Sequence, residues 1–147
     1  MNETLKDAAD EMKRLDHLIH VSLKYTRTVD VLISVLKRFI ECIDFIMLAL
    51  LQKMHEDKQI ESVPESPVGK VNVLKENITD KKILEILDNY LIFRKLVRSV
   101  YTKRNEYRRY VTMTVEENGT IIEVDIDSVT EFYGKLREVF PVVSKLV

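Results

Sequence analysis

The 147-residue sequence has no tryptophan, one cysteine, three glycines and three prolines. Each scarcity excludes something. The lone thiol, Cys42, excludes an intramolecular disulfide and a cysteine-based zinc cage. So few glycines leave no material for a phosphate-cradling loop. No Walker A loop, GxSxG elbow, HExxH or EF-hand pattern occurs. The longest apolar run, Phe45 to Leu51, has seven residues, against the roughly 20 that a membrane-spanning helix needs. No charge sign dominates: at a net −1 the molecule does not attract polyanions as a whole, so any such role falls to a local patch. The opening MNETLKDAADEMKR is charged and lacks the apolar region of a signal peptide, so the expectation is a cytoplasmic protein with no membrane contact.

Apolar residues make up 46% and charged residues 32% of the chain, the composition of a helical globular protein. Its strongest pattern runs from Leu15 to Leu50. Leu15, Leu18, Ser22, Tyr25, Val29, Leu32, Leu36, Phe39, Ile43, Ile46 and Leu50 follow steps of three and four without a slip. This is an a/d repeat held for about five heptads. No glycine or proline precedes Pro64 to interrupt it. Residues 3 to 24 read as an amphipathic helix. Tyr25 to Val29 has lower helix propensity, and Thr28 is a candidate cap for a second helix. One unbroken helix to His55 would be about 65 Å long, against a radius of gyration near 15 Å for a compact domain of this size. Either the chain turns near Thr26, or the helix protrudes and needs a second subunit.

Residues 56 to 72 hold Pro64, Pro67 and Gly69 among Ser and Glu, and read as a loop. Thr79 and Asp80 offer a cap for a long helix over about 80 to 106, with Ile83, Leu87, Tyr90, Phe93, Val97 and Val100 along one side. The period then changes to two. Asn118-Gly119 between alternating runs predicts a β-hairpin of about 109–116 and 120–126. Ser128 with Glu131 fits a capping box for a last helix, which Pro141 should kink or end near Phe140. The expected architecture is therefore mainly α: a single domain over 1–147, with four or five helices, a very long N-terminal helical segment and one hairpin. A homodimer through the heptad stripe is the expected assembly.

The candidate site is YLIFRKLVRSVYTKRNEYRRY, residues 90 to 110. Seven basic residues and one acid, Glu106, lie between Arg94 and Arg109, interleaved with tyrosines. Cations neutralise phosphates, and aromatic faces stack unpaired bases. Arg98, Lys103, Arg104, Asn105, Arg108, Arg109 and Tyr110 are the residues assigned to phosphate or nucleic acid. The alternative is a solvated basic face balanced by the chain's own acid: residues 110 to 147 carry seven acids against three bases.

Arg104-Asn105 followed by Tyr110 resembles the Arg-polar-x(4–6)-His signature of the HEPN superfamily. The chain also resembles uncharacterised helical proteins of thermophilic archaea that lie close to that superfamily. The resemblance implies a small helical bundle that commonly dimerises, acting as a metal-independent ribonuclease or as an inactive RNA- or nucleotide-binding relative. In that family the arginine holds the scissile phosphate and the histidine acts on the 2′-hydroxyl. Here Tyr110 stands in the histidine position. An ordinary tyrosine, with a pKa of about 10, is a poor general base at neutral pH, so the resemblance implies a binding role with impaired catalysis. The same spacing recurs at Arg14 and His20 in the first helix, outside the place of the family motif. Asp16, His17 and His20 share a helix face but supply too few ligands for a metal site. No cofactor is implied. Two functions follow: a HEPN-like module binding single-stranded RNA or nucleotides, or a non-catalytic helical homodimer for protein–protein interaction.

Overall fold

A computed structural model describes residues 2–147. The first helix, α1 (Glu3–His17), starts at Asn2, whose side chain accepts from the Leu5 amide. It continues through a π-helical segment (Leu18–Ser22) and a last α turn (Leu23–Tyr25). The chain then turns. Thr26 and Thr28 leave the helical region, and the Thr28 hydroxyl caps α2 (Val29–Glu56) by accepting from the Val31 amide. So the break falls at the β-branched Thr26 to Val29 run, and α1 and α2 form an antiparallel pair. Three cross-contacts fix their register: Thr4 donates to Gln52, Glu11 bridges to Arg38, and the Cys42 thiol meets the Ala8 carbonyl.

The π-helical segment also shifts the heptad. A wider turn moves the inward positions on by one, so Ile19 and Leu23 are buried where Leu18, Ser22 and Tyr25 were expected. From Val29 onward the stripe is as read: Leu32, Leu36, Phe39, Ile43, Ile46 and Leu50 are buried. They are buried against the chain's own helices, because α2 is the central element and every other helix packs on it. The stripe is therefore already covered within one chain.

Residues 56 to 72 are not all loop. Helix α3 (Pro67–Asn77) begins with Ser66 as cap and Pro67 in the first turn, where the missing N–H costs nothing. Gly69 lets the cap close: a Cβ there would lie 2.7 Å from the Ser66 hydroxyl. Helix α4 (Lys81–Leu96) starts at Asp80, which accepts from the Lys82 and Ile83 amides. It ends about ten residues earlier than expected. Val97, Val100 and Thr102 are β-branched, and the Ser99 hydroxyl bonds back to the Lys95 carbonyl. Val100, expected in the stripe, is 92% exposed.

The expected hairpin is the larger part of a three-stranded antiparallel sheet. Strand β1 (Thr102–Arg104) adds to β2 (Thr112–Glu117), which pairs with β3 (Thr120–Asp125). Asn118 and Gly119 adopt φ of 52° and 78°, the positive values that their type I′ turn requires. Met113, Val115 and Val124 turn the sheet's inner face to the core. Helix α5 (Ile126–Leu146) is capped by Asp125 with Ser128, rather than Ser128 with Glu131, since the strand runs directly into the helix. It passes through Pro141, because Val139 and Val143 on either side are buried and hold the last turn down. Phe39, Phe93 and Phe132 join α2, α4 and α5, with ring centroids 4.6–5.5 Å apart. Truncating Phe39 to alanine would cost about 3–5 kcal/mol. No helix among the described residues is long and apolar enough to cross a membrane.

Candidate nucleic-acid interface

The basic segment is divided by the end of α4. Its first part is structural. Tyr90 is fully buried, and its hydroxyl donates to Asp44 at 2.5 Å. Burial, then the Asp44 carboxylate, push the phenol well above its ordinary range. Burial likewise raises the Asp44 carboxyl, opposed by the Tyr90 hydrogen bond and by Lys70 and Arg94. Arg94 lies over the Tyr90 ring. Arg98 points its Nε to the Arg94 carbonyl and faces a shallow cleft with Lys95 and Glu117, apart from the later residues of the segment.

The second part is strand β1 and the loop that follows. Lys103 sits 3.6 Å from both Asp30 and Glu106, and the Asp30 charge raises its pKa. Arg104 pairs with Glu123 at 3.0 Å, and Arg109 with Asp127 at 2.6 Å. Their partners come from α2, β3 and α5. Lys95 is similarly held by Glu117. Asn105 is exposed, and its side-chain amide is engaged within the loop, donating to the Tyr110 carbonyl at 3.4 Å. Arg108 is exposed and forms no ion pair among the described residues.

The loop has a strained, specific shape. Asn105 and Tyr107 both have positive φ, 56° and 65°, which costs a non-glycine residue about 1–2 kcal/mol. What holds it is the α1–α2 turn. The Tyr107 amide donates to the Arg27 carbonyl at 2.6 Å, and the Glu106 carboxylate accepts from the Val29 amide at 3.0 Å. Glu106, the one acid of the basic segment, thus serves as a second cap on α2, where the helix dipole favours a negative charge.

The docking brings together residues far apart in sequence. Tyr25 and Tyr107 are each 79% exposed and Tyr110 is 67% exposed. Lys24 lies 6.0 Å from the Tyr25 ring centroid, and Arg109 5.4 Å from that of Tyr110. Beside them is a pocket of about 210 Å³ whose polar lining is His20, Lys24, Arg27, Arg109 and Thr130. No carboxylate lines it among the described residues. The Arg27 Nε is buried without a hydrogen-bond partner in the protein.

Of the residues expected at the site, Arg108, Arg109 and Tyr110 stand together at this end of the bundle. Arg98 lies elsewhere, and Lys103 and Arg104 are tied to neighbouring acid. His20, Lys24 and Arg27, which join Arg109 here, lie far from the basic segment in sequence. The signal available was the weak-helix run at Thr26 to Thr28, with Arg27 inside it. His20 itself pairs with Asp16 at 3.1 Å and packs edge-on to Tyr133, while His17 lines a separate concavity with Arg14 and Arg38. Comparison with protein-family models, curated proteins and solved structures gave no significant match.

Proposed function

We propose that this chain is a helical module that binds single-stranded RNA or nucleotides, HEPN-like in character and impaired in catalysis. The observation that carries the reading is the cluster of exposed Tyr25, Tyr107 and Tyr110 with Lys24, Arg108 and Arg109, assembled by the loop docked on the α1–α2 turn. Flat aromatic faces accept bases without sequence preference, and nearby cations meet the phosphates. Two residues of the HEPN-like motif are engaged within the chain, which fits impaired catalysis. Arg104 is engaged by Glu123, and the Asn105 amide holds the backbone of Tyr110.

The test is fluorescence anisotropy of a labelled single-stranded RNA across a salt series. Contacts to three phosphates give a slope of log K against log salt of about −2. Tyr107→Ala with Tyr110→Ala should weaken binding about tenfold or more with the slope kept, because stacking contributes about 1–3 kcal/mol per base. Arg108→Ala should flatten the slope by about 0.7. No binding at low salt would overturn the reading.

A second reading, a non-catalytic interaction module, is favoured by the ion pairs Lys95–Glu117, Arg104–Glu123 and Arg109–Asp127, which spend much of the basic segment on the chain's own acid. A homodimer belongs with that reading. Since the α2 stripe is covered within the chain, the dimer would form through another face.

A further inference from the structure

We propose that the pocket between the π-helical segment, the α1–α2 turn and the start of α5 is a phosphate-monoester site. Resting on the reading above, it takes the phosphorylated end of the bound strand. Its ionisable lining is two guanidinium groups, one ammonium and one imidazole (Arg27, Arg109, Lys24 and His20), drawn from two stretches far apart in the chain, residues 20–27 and the loop at Arg109. Like charges converge this way at a cost, and a dianion bound among them removes it. The apolar part of the lining is Ile19, Leu23 and Ile126, which lowers the local dielectric and strengthens each contact to an anion.

Arg27 is the most telling member. Its Nε is a buried donor with no partner, whereas buried donors ordinarily have one. Its backbone is not free to swing away, since Tyr107 holds the Arg27 carbonyl. Lys24 and Arg27 form no ion pair among the described residues, so their charge is available. Arg109 and His20 have carboxylate partners, Asp127 and Asp16, which orient them from outside the pocket. The Thr130 hydroxyl already donates to the Ile126 carbonyl, so the donors to an anion are the four basic side chains.

Size selects among phosphate ligands. A volume of about 210 Å³ is below the common range for a whole small-molecule site. It suits a phosphate group with part of its sugar. The base then lies outside, where Tyr25, Tyr107 and Tyr110 are exposed. An internal phosphodiester carries one charge and two bulky ester arms. A terminal phosphate carries nearly two charges at neutral pH and one arm, and matches the cation count better.

The experiment has two arms on the full chain. In the first, ribose 5-phosphate is titrated and followed by amide chemical shifts, with ribose as control. The proposal expects shifts at Ile19 to Arg27 and at Arg109 with the phosphate ester alone, lost in Lys24→Ala. Lys24 is exposed, so that variant keeps the fold. Arg27→Lys, which keeps a charge but removes Nε, should weaken binding several-fold. No shifts there, or equal shifts with ribose, would overturn the site. In the second arm, oligouridine with a 5′-phosphate, a 3′-phosphate or neither is compared by anisotropy. One phosphorylated end should bind about tenfold tighter than the hydroxyl-ended strand, the effect of one or two added charge-assisted contacts. Equal binding of all three would overturn the end-recognition proposal and leave the strand surface standing. Failure of every strand, with ribose 5-phosphate still bound, would overturn the strand reading and leave the phosphate site standing.

Discussion

The backbone amide of Tyr107 donates a 2.6 Å hydrogen bond to the carbonyl of Arg27. Eighty residues of chain separate the two, and this contact, with the Glu106 to Val29 contact beside it, turns a basic loop and a helix break into one surface. The loop has two residues with positive φ and little buried apolar area of its own, so these polar contacts determine where it sits.

Removing the Glu106 cap should therefore loosen both. Glu106→Ala should cost about 1 kcal/mol, as the loss of a helix cap does, lowering Tm by about 3 °C in a domain of this size. Glu106→Gln keeps an acceptor for the Val29 amide and should retain most of the stability. Thermal unfolding checks this, and equal Tm for the alanine variant and the parent would contradict it.

The Tyr90–Asp44 pair gives a pH dependence. Burial raises the folded-state pKa of Asp44 above its ordinary 3.8. As pH rises past 3.8, the unfolded chain releases this proton before the folded one does, so the group's contribution to stability falls until the raised folded value is passed. Asp44→Asn should flatten that fall. Tyr90→Phe removes the hydrogen bond that favours the ionised carboxylate. Its cost should be about 2 kcal/mol at pH 7 and smaller near pH 3.5, below the raised folded value, where the carboxyl holds its proton. Urea unfolding at the two pH values measures the difference. An equal cost at both would contradict the role given to the hydrogen bond.

Cys42 should be chemically silent in the folded protein. It is fully buried, its thiol reaches the Ala8 carbonyl, and burial followed by the Glu11 charge pushes its pKa up to about 12. Alkylation by iodoacetamide at pH 8 should be at least about a thousandfold slower than in urea, since it needs the core to open. Reaction at the rate of a free thiol would show that the α1–α2 packing is not as described.

How much of this was legible in the sequence depended on how local the cause was. The Asn118-Gly119 turn was readable, because two adjacent residues determine its backbone. The α2 stripe was readable from Val29 to Leu50, because a 28-residue helix repeats the same signal many times. The π-helical shift was not, because Leu18 and Ile19 are both apolar and only packing decides which turns inward. Strand β1 is three exposed residues that pair with β2 through the backbone, so it leaves no pattern. Helix α3 buries only Val71 and Leu74 and shows no stripe, although Ser66-Pro67 marked its start. At the site, the charge of the basic segment was plain. The balancing acid of residues 110 to 147 was countable too, but which acid meets which base was not, since Asp30, Glu117, Glu123 and Asp127 lie on other elements. Lys24 and Arg27 joined the site only through the turn that brings them to the loop.

Strand binding at the docked loop is tested most directly by an amide chemical-shift titration of the 17.3 kDa protein with hexauridine at low salt. A strand bound at this surface should shift amides clustered at Lys24 to Thr28 and Asn105 to Tyr110, with the shifts fading as salt is raised. Shifts confined to other faces, or none at all, would contradict it.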